Sequence, residues 1–266
     1  FIGYYTDYQF TNTVGRSLQQ EDNTTELGIY FDYKRQQGRW LIQPGLRLHN
    51  YSTMGVLRVE PRFGFKYNAS ENVRIKGSAG RYSQNLIAAN SDRDVVNLFY
   101  GFLSGGGIDL PSKIGDEDVQ GTLQTADHVV LGVEFNPAPR WNVELEAYVK
   151  NFGMITNVNR FKLYDDIPQY ANQPERLRKD FMVERGLARG IDALVTYEDK
   201  HWYLWAVYSL GRSSRYDGEQ TYAPFFDRRH NTNFVVARKF AKQLEVNLRW
   251  NYGSGFPFTP IRGYYE

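Results

Sequence analysis

Apolar and polar residues alternate along much of the chain. Trp141, Val143, Leu145, Ala147 and Val149 are interleaved with Asn142, Glu144, Glu146, Tyr148 and Lys150, a period of two that puts the two sets on opposite faces of an extended strand. The pattern recurs at Trp40, Ile42, Pro44, Leu46 and Leu48, at Leu57, Val59, Phe63, Phe65 and Tyr67, and at Leu244, Val246, Leu248, Trp250 and Tyr252. No segment sustains a helical period; the best candidate helix, residues 174–185, is short and highly charged. The chain is therefore expected to be all-β, with about ten to eleven antiparallel strands. They fall near residues 7–18, 27–36, 39–49, 55–67, 72–84, 128–135, 141–152, 186–197, 201–211, 231–239 and 243–253.

The connections come in two lengths that take turns. Short ones carry turn chemistry: residues 36–39 with Gly38, 68–72, the Asn136-Pro137-Ala138-Pro139-Arg140 run, 198–200 and 240–242. Long ones span residues 83–127, 153–185 and 212–226, with a smaller one at 51–55. In an antiparallel meander alternate connections emerge at the same end, so the short turns gather on one side and the long loops on the other, as in an outer-membrane barrel. The strands are long enough to cross a bilayer at the usual tilt. Trp40, Trp141 and Trp202 each stand just past a short turn, where an amphipathic ring lies at headgroup level. The interleaved face carries Arg58, Glu60, Arg62, Lys66, Arg74, Lys76, Glu134, Glu144, Glu146, Asp192, Glu245 and Arg249, a set suited to a wet or protein-filled lumen and ruinous to a dry core. A soluble sandwich with one solvated face shares the alternation.

Composition removes several classes. Across 266 residues, 32 Lys plus Arg stand against 30 Asp plus Glu, a net charge of +2, so no global field marks a nucleic-acid partner. With no Cys, disulfide frameworks, thiolate metal sites and cysteine nucleophiles are excluded. Aromatic residues make up 16 % of a chain that is only 41 % hydrophobic, so many of them are expected to face something other than a core. No apolar run approaches the roughly 18 residues of a spanning helix. Residues 1–10 lack the pattern of a signal peptide, and the chain stops at Tyr264, Tyr265 and Glu266 just after a Gly- and Pro-marked segment. Both ends are expected to be cut from something longer, because an incomplete barrel leaves a raw strand edge that lipid does not tolerate.

Several segments resemble a known family. The Glu60-Pro61-Arg62-Phe63-Gly64-Phe65-Lys66-Tyr67 run, with Val73 through Gly80-Arg81-Tyr82-Ser83-Gln84 after it, resembles the central barrel hairpin of TonB-dependent outer-membrane receptors. Ala126-Asp127-His128-Val129-Val130-Leu131-Gly132-Val133-Glu134 and Glu144-Leu145-Glu146-Ala147-Tyr148-Val149-Lys150 look like the hairpin that follows the long outer loops in that family. Asp227-Arg228-Arg229-His230-Asn231 and the Asn251 to Thr259 stretch are similar to receptors of Bacteroidetes-type bacteria.

The resemblance implies a ligand-gated importer of a scarce nutrient (siderophore, cobalamin, oligosaccharide or peptide) in the outer membrane, with a barrel of about 22 strands closed by a plug. It also implies coupling through TonB to an inner-membrane motor and admits a surface lipoprotein lid over the outer mouth. Residues 1–266 then read as one barrel segment with no plug domain and no coupling box. This reading expects no enzyme activity, cofactor or nucleic-acid partner. The alternatives are a stand-alone small barrel (a rim protease or an adhesin) and a soluble β-rich carbohydrate-binding module.

Ligand contacts in such a receptor come from the long loops and the lumen beneath them, with aromatics for area and Arg or Asn for polar groups. The candidates are Arg81, Tyr82, Gln84, Asn85, Tyr100, Phe152, Asn157, Tyr164, Tyr222 and Phe225, the Tyr and Phe among them weighed against a place in the outer aromatic girdle. The acidic loop residues Asp92, Asp94, Asp109, Asp116, Glu117 and Asp118 lack calcium-loop spacing, and Gly105-Gly106-Gly107 is followed by no phosphate-reaching Lys. For a protease, Asp127 with His128 or Asp227 with His230 would have to co-operate, yet adjacent strand residues face opposite ways.

Overall fold

Strands follow one another as neighbours from end to end of the sheet. They are β1 (Ile2–Thr11), β2 (Ser17–Asp32), β3 (Arg35–Gln37), β4 (Trp40–Tyr51), β5 (Val56–Asn68), β6 (Val73–Gln84), β7 (Leu86–Ala88), β8 (Phe102–Ser104) and β9 (Lys113–Ile114). They continue as β10 (Glu117–Asp118), β11 (Gln124–Phe135), β12 (Trp141–Val158), β13 (Phe181–Glu198), β14 (Trp202–Tyr216), β15 (Thr221–Tyr222), β16 (His230–Ala241) and β17 (Leu244–Gly253). The main sheet has 13 strands in the order β1-β2-β4-β5-β6-β11-β12-β13-β14-β16-β17, with β3 added to β4 and β15 to β14. Every pairing is antiparallel. This computed structural model describes residues 2–11, 17–88, 102–104, 110–119, 121–159, 161–241 and 244–257.

The connections segregate as the meander requires. Loops 52–55, 85–123, 159–180 and 217–229 leave one end of the sheet, and turns 33–39, 69–72, 136–140 and 199–201 leave the other. At the short-turn end Trp40 lies 4.5 Å from Tyr67 and Trp141 lies 4.9 Å from Tyr197, ring centroid to centroid. The Arg238 guanidinium sits 4.6 Å over Trp202. Each of the three tryptophans thus meets a cross-strand partner.

One face of the sheet is greasy and open. Leu57 is 62 % exposed, Leu131 55 %, Ile191 53 % and Leu248 61 %, and no second layer of strands covers them among the described residues. The buried apolar residues Ile114, Leu123, Met154, Ile155, Phe181, Met182 and Val183 all lie at the long-loop end. A sandwich would show two stacked sheets around a dry aliphatic middle; this sheet has neither. On the other face, Lys66 and Arg74 pair with Glu134 at 3.7 and 2.7 Å, and Lys76 bridges Glu144 and Glu146 at 2.7 Å each. Tyr148 lies on this face across Gly190 and Gly211; a Cβ on Gly190 would stand 2.7 Å from its hydroxyl and 2.6 Å from the Leu210 carbonyl, so only glycine admits the ring.

Strand boundaries differ from the sequence expectation in two regions. Residues 7–18 are not one strand: β1 ends at Thr11 and β2 begins at Ser17, and residues 17–26 carry Gln, Glu, Asp, Asn and Thr on both faces, which hides their period. As expected, the charged stretch 174–185 forms no long helix: it holds a single 3₁₀ turn at Glu175–Leu177 followed by the start of β13. β12, β13 and β14 also run on past the expected ends to Val158, Phe181 and Tyr216. In β12 Gly153 is an extra residue between Phe152, opposite Ala126, and Met154, opposite Thr125, a bulge that resets which face each following side chain takes.

Two outcomes test this architecture. Leu131→Arg is expected to cost about 2–4 kcal/mol if its face meets lipid, whereas a water-exposed position would absorb it within about 0.5 kcal/mol; unfolding in detergent or lipid decides. At the short turn, Asp199 accepts hydrogen bonds from the Tyr197 hydroxyl and the His201 and Trp202 amides, each at 2.7 Å. Tyr197 first, then the two amides, hold its carboxyl at about 2. A depressed carboxylate stabilises above its ordinary value and loses that as pH falls through the folded one. Asp199→Asn should therefore lower the thermal midpoint near neutral pH and converge with the parent as pH falls through about 2.

Candidate functional site

A row of cations and rings crosses the polar face just below the long loops. Arg62 on β5 sits 4.7 Å over the Tyr82 ring on β6, and Tyr82 lies 4.7 Å from His128 on β11. His128 meets the edge of Phe152 on β12 at 6.2 Å. Arg215 on β14 is 5.1 Å over Phe152 and 5.8 Å over Phe226, and Phe226 packs edge-on to Phe225 at 5.4 Å. Register builds the row: Phe152 is opposite Gly186, and Gly186 is opposite Arg215. A Cβ on Gly186 would run into the Arg215 guanidinium, so this glycine opens the space through which Arg215 reaches Phe152. His128 Nε2 is buried with no hydrogen-bond partner among the described residues.

At one end the row meets a buried acid. Glu184, 1 % exposed, accepts the Tyr222 hydroxyl at 2.7 Å on both carboxylate oxygens and the Asn157 amide at 3.2 Å. Three segments, β12, β13 and β15, are tied together at that carboxylate. At the other end Glu60, also 1 % exposed, accepts the Ser83 amide at 3.0 Å and Arg62 at 3.2 Å. A cavity of about 410 Å³ opens beside it, bounded by Arg58, Glu60, Tyr82, Glu117, Asp127 and Arg185.

The rim above is held by ions. The Ser112 amide and hydroxyl donate to Glu175 at 2.6 and 2.8 Å, and Arg185 grips Glu117 with two nitrogens. That guanidinium keeps Glu117 below the usual carboxylate range. Lys179, at 2.8 Å, does the same to Asp166, with Arg178 adding to it. Beneath these pairs Ile114 packs on Met154 and Val183, with Leu110 and Val119 against them, so the β9–β10 hairpin is docked onto the tops of β12 and β13.

The candidates read from sequence divide accordingly. Tyr82, Phe152, Asn157, Tyr222 and Phe225 fall in or beside the row. Arg81 turns to the apolar face and pairs with Asp127 at 2.8 Å. Gln84 is exposed at the end of β6 and Asn85 is buried beside it. Tyr164 packs against Tyr170 within loop 159–180, 5.1 Å between centroids. Tyr100 lies outside the described residues, as do Asp92, Asp94, Asp109 and the Gly105–Gly107 run. Sequence reasoning missed Glu184 and Arg215. Glu184 stands in a segment read as loop, and Arg215 lies beyond the expected end of its strand, in the Arg212-Ser213-Ser214-Arg215-Tyr216 run whose polar residues on both faces leave no periodic signal.

Neither Asp–His pair assembles. Asp127 points to the apolar face while His128 joins the row. Asp227 accepts the Ser213 amide at 2.6 Å, whereas His230 Nδ1 meets the Tyr208 hydroxyl at 2.8 Å. Among the described residues no group of three His, Cys, Asp or Glu side chains is placed to hold a metal ion.

Fold and faces define a class: an antiparallel wall of transmembrane β-barrel type, not closed on itself within the described residues. No protein-family model matches the chain, and no curated protein matches its sequence. Solved structures match its fold. The siderophore receptor PirA from Pseudomonas aeruginosa aligns at 13 % identity with a TM-score of 0.54, over 88 % of this chain and 39 % of the receptor. The FrpB iron transporter from Neisseria meningitidis aligns at 11 % identity and TM-score 0.55, over 86 % and 33 %. The ferric citrate transporter FecA in its unliganded form gives 15 %, 0.56, 95 % and 37 %. The chain thus spans between a third and two fifths of the length of these receptors.

Tyr222→Phe, which removes the hydroxyl donated to a buried carboxylate, should cost about 1–3 kcal/mol. Tyr164→Phe, which keeps the ring contact with Tyr170 and removes only a hydroxyl, should stay within about 0.5 kcal/mol. Chemical unfolding of both variants in the same detergent makes the comparison.

Proposed function

We propose that this chain is part of the barrel wall of a TonB-dependent outer-membrane receptor that imports a scarce nutrient into the periplasm. The observation that carries the reading is the sidedness of the sheet: an open greasy face, a charged opposite face, and every long loop at one end. Lipid suits the first, a plug and water the second, and ligand capture at the cell surface the third. Among the described residues the lower part of β2, residues 27–32, and β17 each have one unpaired edge; these call for further strands, since a spanning sheet must leave no backbone group unsatisfied. On this reading the ion-paired surface around Lys66, Lys76 and Arg74 faces the plug that couples to TonB, and the protein is a transporter rather than an enzyme.

The ligand-facing surface in this proposal is the row from Arg62 to Phe225. Two guanidiniums spaced among flat rings suit an anionic ligand with planar surfaces, which the rings contact by area and the cations by charge. Among nutrients too large for porins, iron chelates fit that description, and the fold neighbours include receptors named for siderophores and for ferric citrate.

The test is uptake by the full-length receptor in cells starved of iron, with a panel of radiolabelled ferric chelates including ferric citrate. Arg215→Ala and Tyr82→Ala should each weaken uptake of the transported chelate about tenfold, equivalent to about 1.4 kcal/mol, with the folded barrel still present in the outer membrane. A protein recovered as a stable monomer in buffer without detergent would overturn the membrane reading. Uptake of every chelate unaffected by either variant would overturn the assignment of the row.

A further inference from the structure

Two arginines face each other across the wall on the wrong side. Arg189 on β13 is directly opposite Arg212 on β14, both are exposed, and both lie on the apolar face. Their neighbours on that face are Leu187 and Ile191 along β13, Leu210 along β14, and Val149 across on β12. Among the described residues neither guanidinium has a hydrogen-bond or ion-pair partner. Like charges directly opposite in a ladder repel, and cations on a lipid-facing surface are unfavourable unless they lie near the headgroups. By contrast, other arginines on this face near the same end are matched by carboxylates: Arg81 by Asp127 at 2.8 Å and Arg185 by Glu117.

Depth gives the pair its meaning. From the short-turn end of β13 the apolar face presents Tyr197, Val195, Ala193 and Ile191 before Arg189; from that end of β14 it presents Trp202, Leu204, Ala206, Tyr208 and Leu210 before Arg212. The pair therefore stands where the greasy band ends, at the level of the headgroups on the long-loop side. A dianionic oxygen cluster at that level would turn the repulsion into a bridge, because each planar guanidinium donates two parallel N–H groups to phosphate oxygens.

We infer that Arg189 and Arg212 form a binding site for the phosphate of an anionic lipid in the outer leaflet, whose acyl chains lie over Val149, Ile191 and Leu210. Continuity of the cations with the acyl-facing surface favours a lipid over a dissolved anion. The inference rests on the membrane reading above.

The test uses the intact full-length protein in nanodiscs of phosphatidylcholine, alone or doped with diphosphorylated lipid A. Native mass spectrometry should show lipid A retained about tenfold more tightly by the parent than by R189Q/R212Q, with R189K/R212K in between. A second measurement needs only the parent and so does not depend on the variants folding. Its melting temperature should rise with lipid A in the disc and stay unchanged when inorganic phosphate is added to the lipid A-free protein. Equal retention by the double glutamine variant, or no thermal response to lipid A, overturns the inference while leaving the membrane reading intact. A thermal response to inorganic phosphate equal to that for lipid A overturns the lipid assignment in favour of a free-anion site. Failure of the protein to enter the discs at all overturns the membrane reading and this inference together.

Discussion

A peptide group inside hydrocarbon has no water to turn to, so every N–H and C=O must find its partner in the next strand. The rest of the structure follows from that constraint. Strands pair with their chain neighbours without a crossover, because an interruption would strand a ladder of unpaired groups in lipid. Since side chains alternate along each strand, the same ladder that satisfies the backbone sorts residues into two populations with opposite solvents. Leu131 and Ile191 on one side and Glu134 and Asp192 on the other are separated by the thickness of a single sheet.

A single layer has no hydrophobic interior of its own, and the polar face shows what takes its place. Lys76 lies between Glu144 and Glu146, and Glu134 lies between Lys66 and Arg74, so charges on adjacent strands neutralise one another across the ladder. Such half-exposed pairs stabilise little singly, but they set register, since a slip of one residue would turn the carboxylates to the greasy side. The apolar packing that exists is gathered at the long-loop end, where Ile114, Met154 and Val183 weld a loop hairpin to the wall.

Alternation, the two lengths of connection and the tryptophans beside short turns were all readable in the residues, because each reports directly on the two-solvent constraint. What was not readable lies above the bilayer, where the constraint lapses. In β2 the run Gln19, Gln20, Glu21, Asp22 and Asn23 is polar on both faces, as water on both sides permits, and its strand character leaves no periodic trace. In β12 the extra residue Gly153 breaks the period, so Met154, Ile155, Thr156 and Asn157 look like loop although all are buried strand residues. Glu184 and Arg215 were hidden for the same reason: both belong to strand extensions whose charge pattern resembles a solvated loop. Tyr82, Phe152, Asn157, Tyr222 and Phe225 were found from residue type and position near strand tops, without any indication of which acid or cation would join them.

The bulge and the glycine together explain why the cation–ring row stands where it does. Below Phe152 the polar face of β12 carries Lys150 over the Tyr148 ring at 5.5 Å, and below them Glu146 and Glu144, which Lys76 bridges. At Gly153 the register slips, and at Gly186 a missing side chain leaves room; Arg215 crosses that gap onto Phe152. Burial there lowers the effective dielectric, so the same charges act more strongly than they would in the wet lumen below. Glu184, fixed by Tyr222 and Asn157, joins this stretch of wall to the loop that carries Phe225 and Phe226. A ligand seated against Arg215 would therefore press on wall and loop together. The irregularity that concealed this region in the sequence is also what gives it its space and its charge.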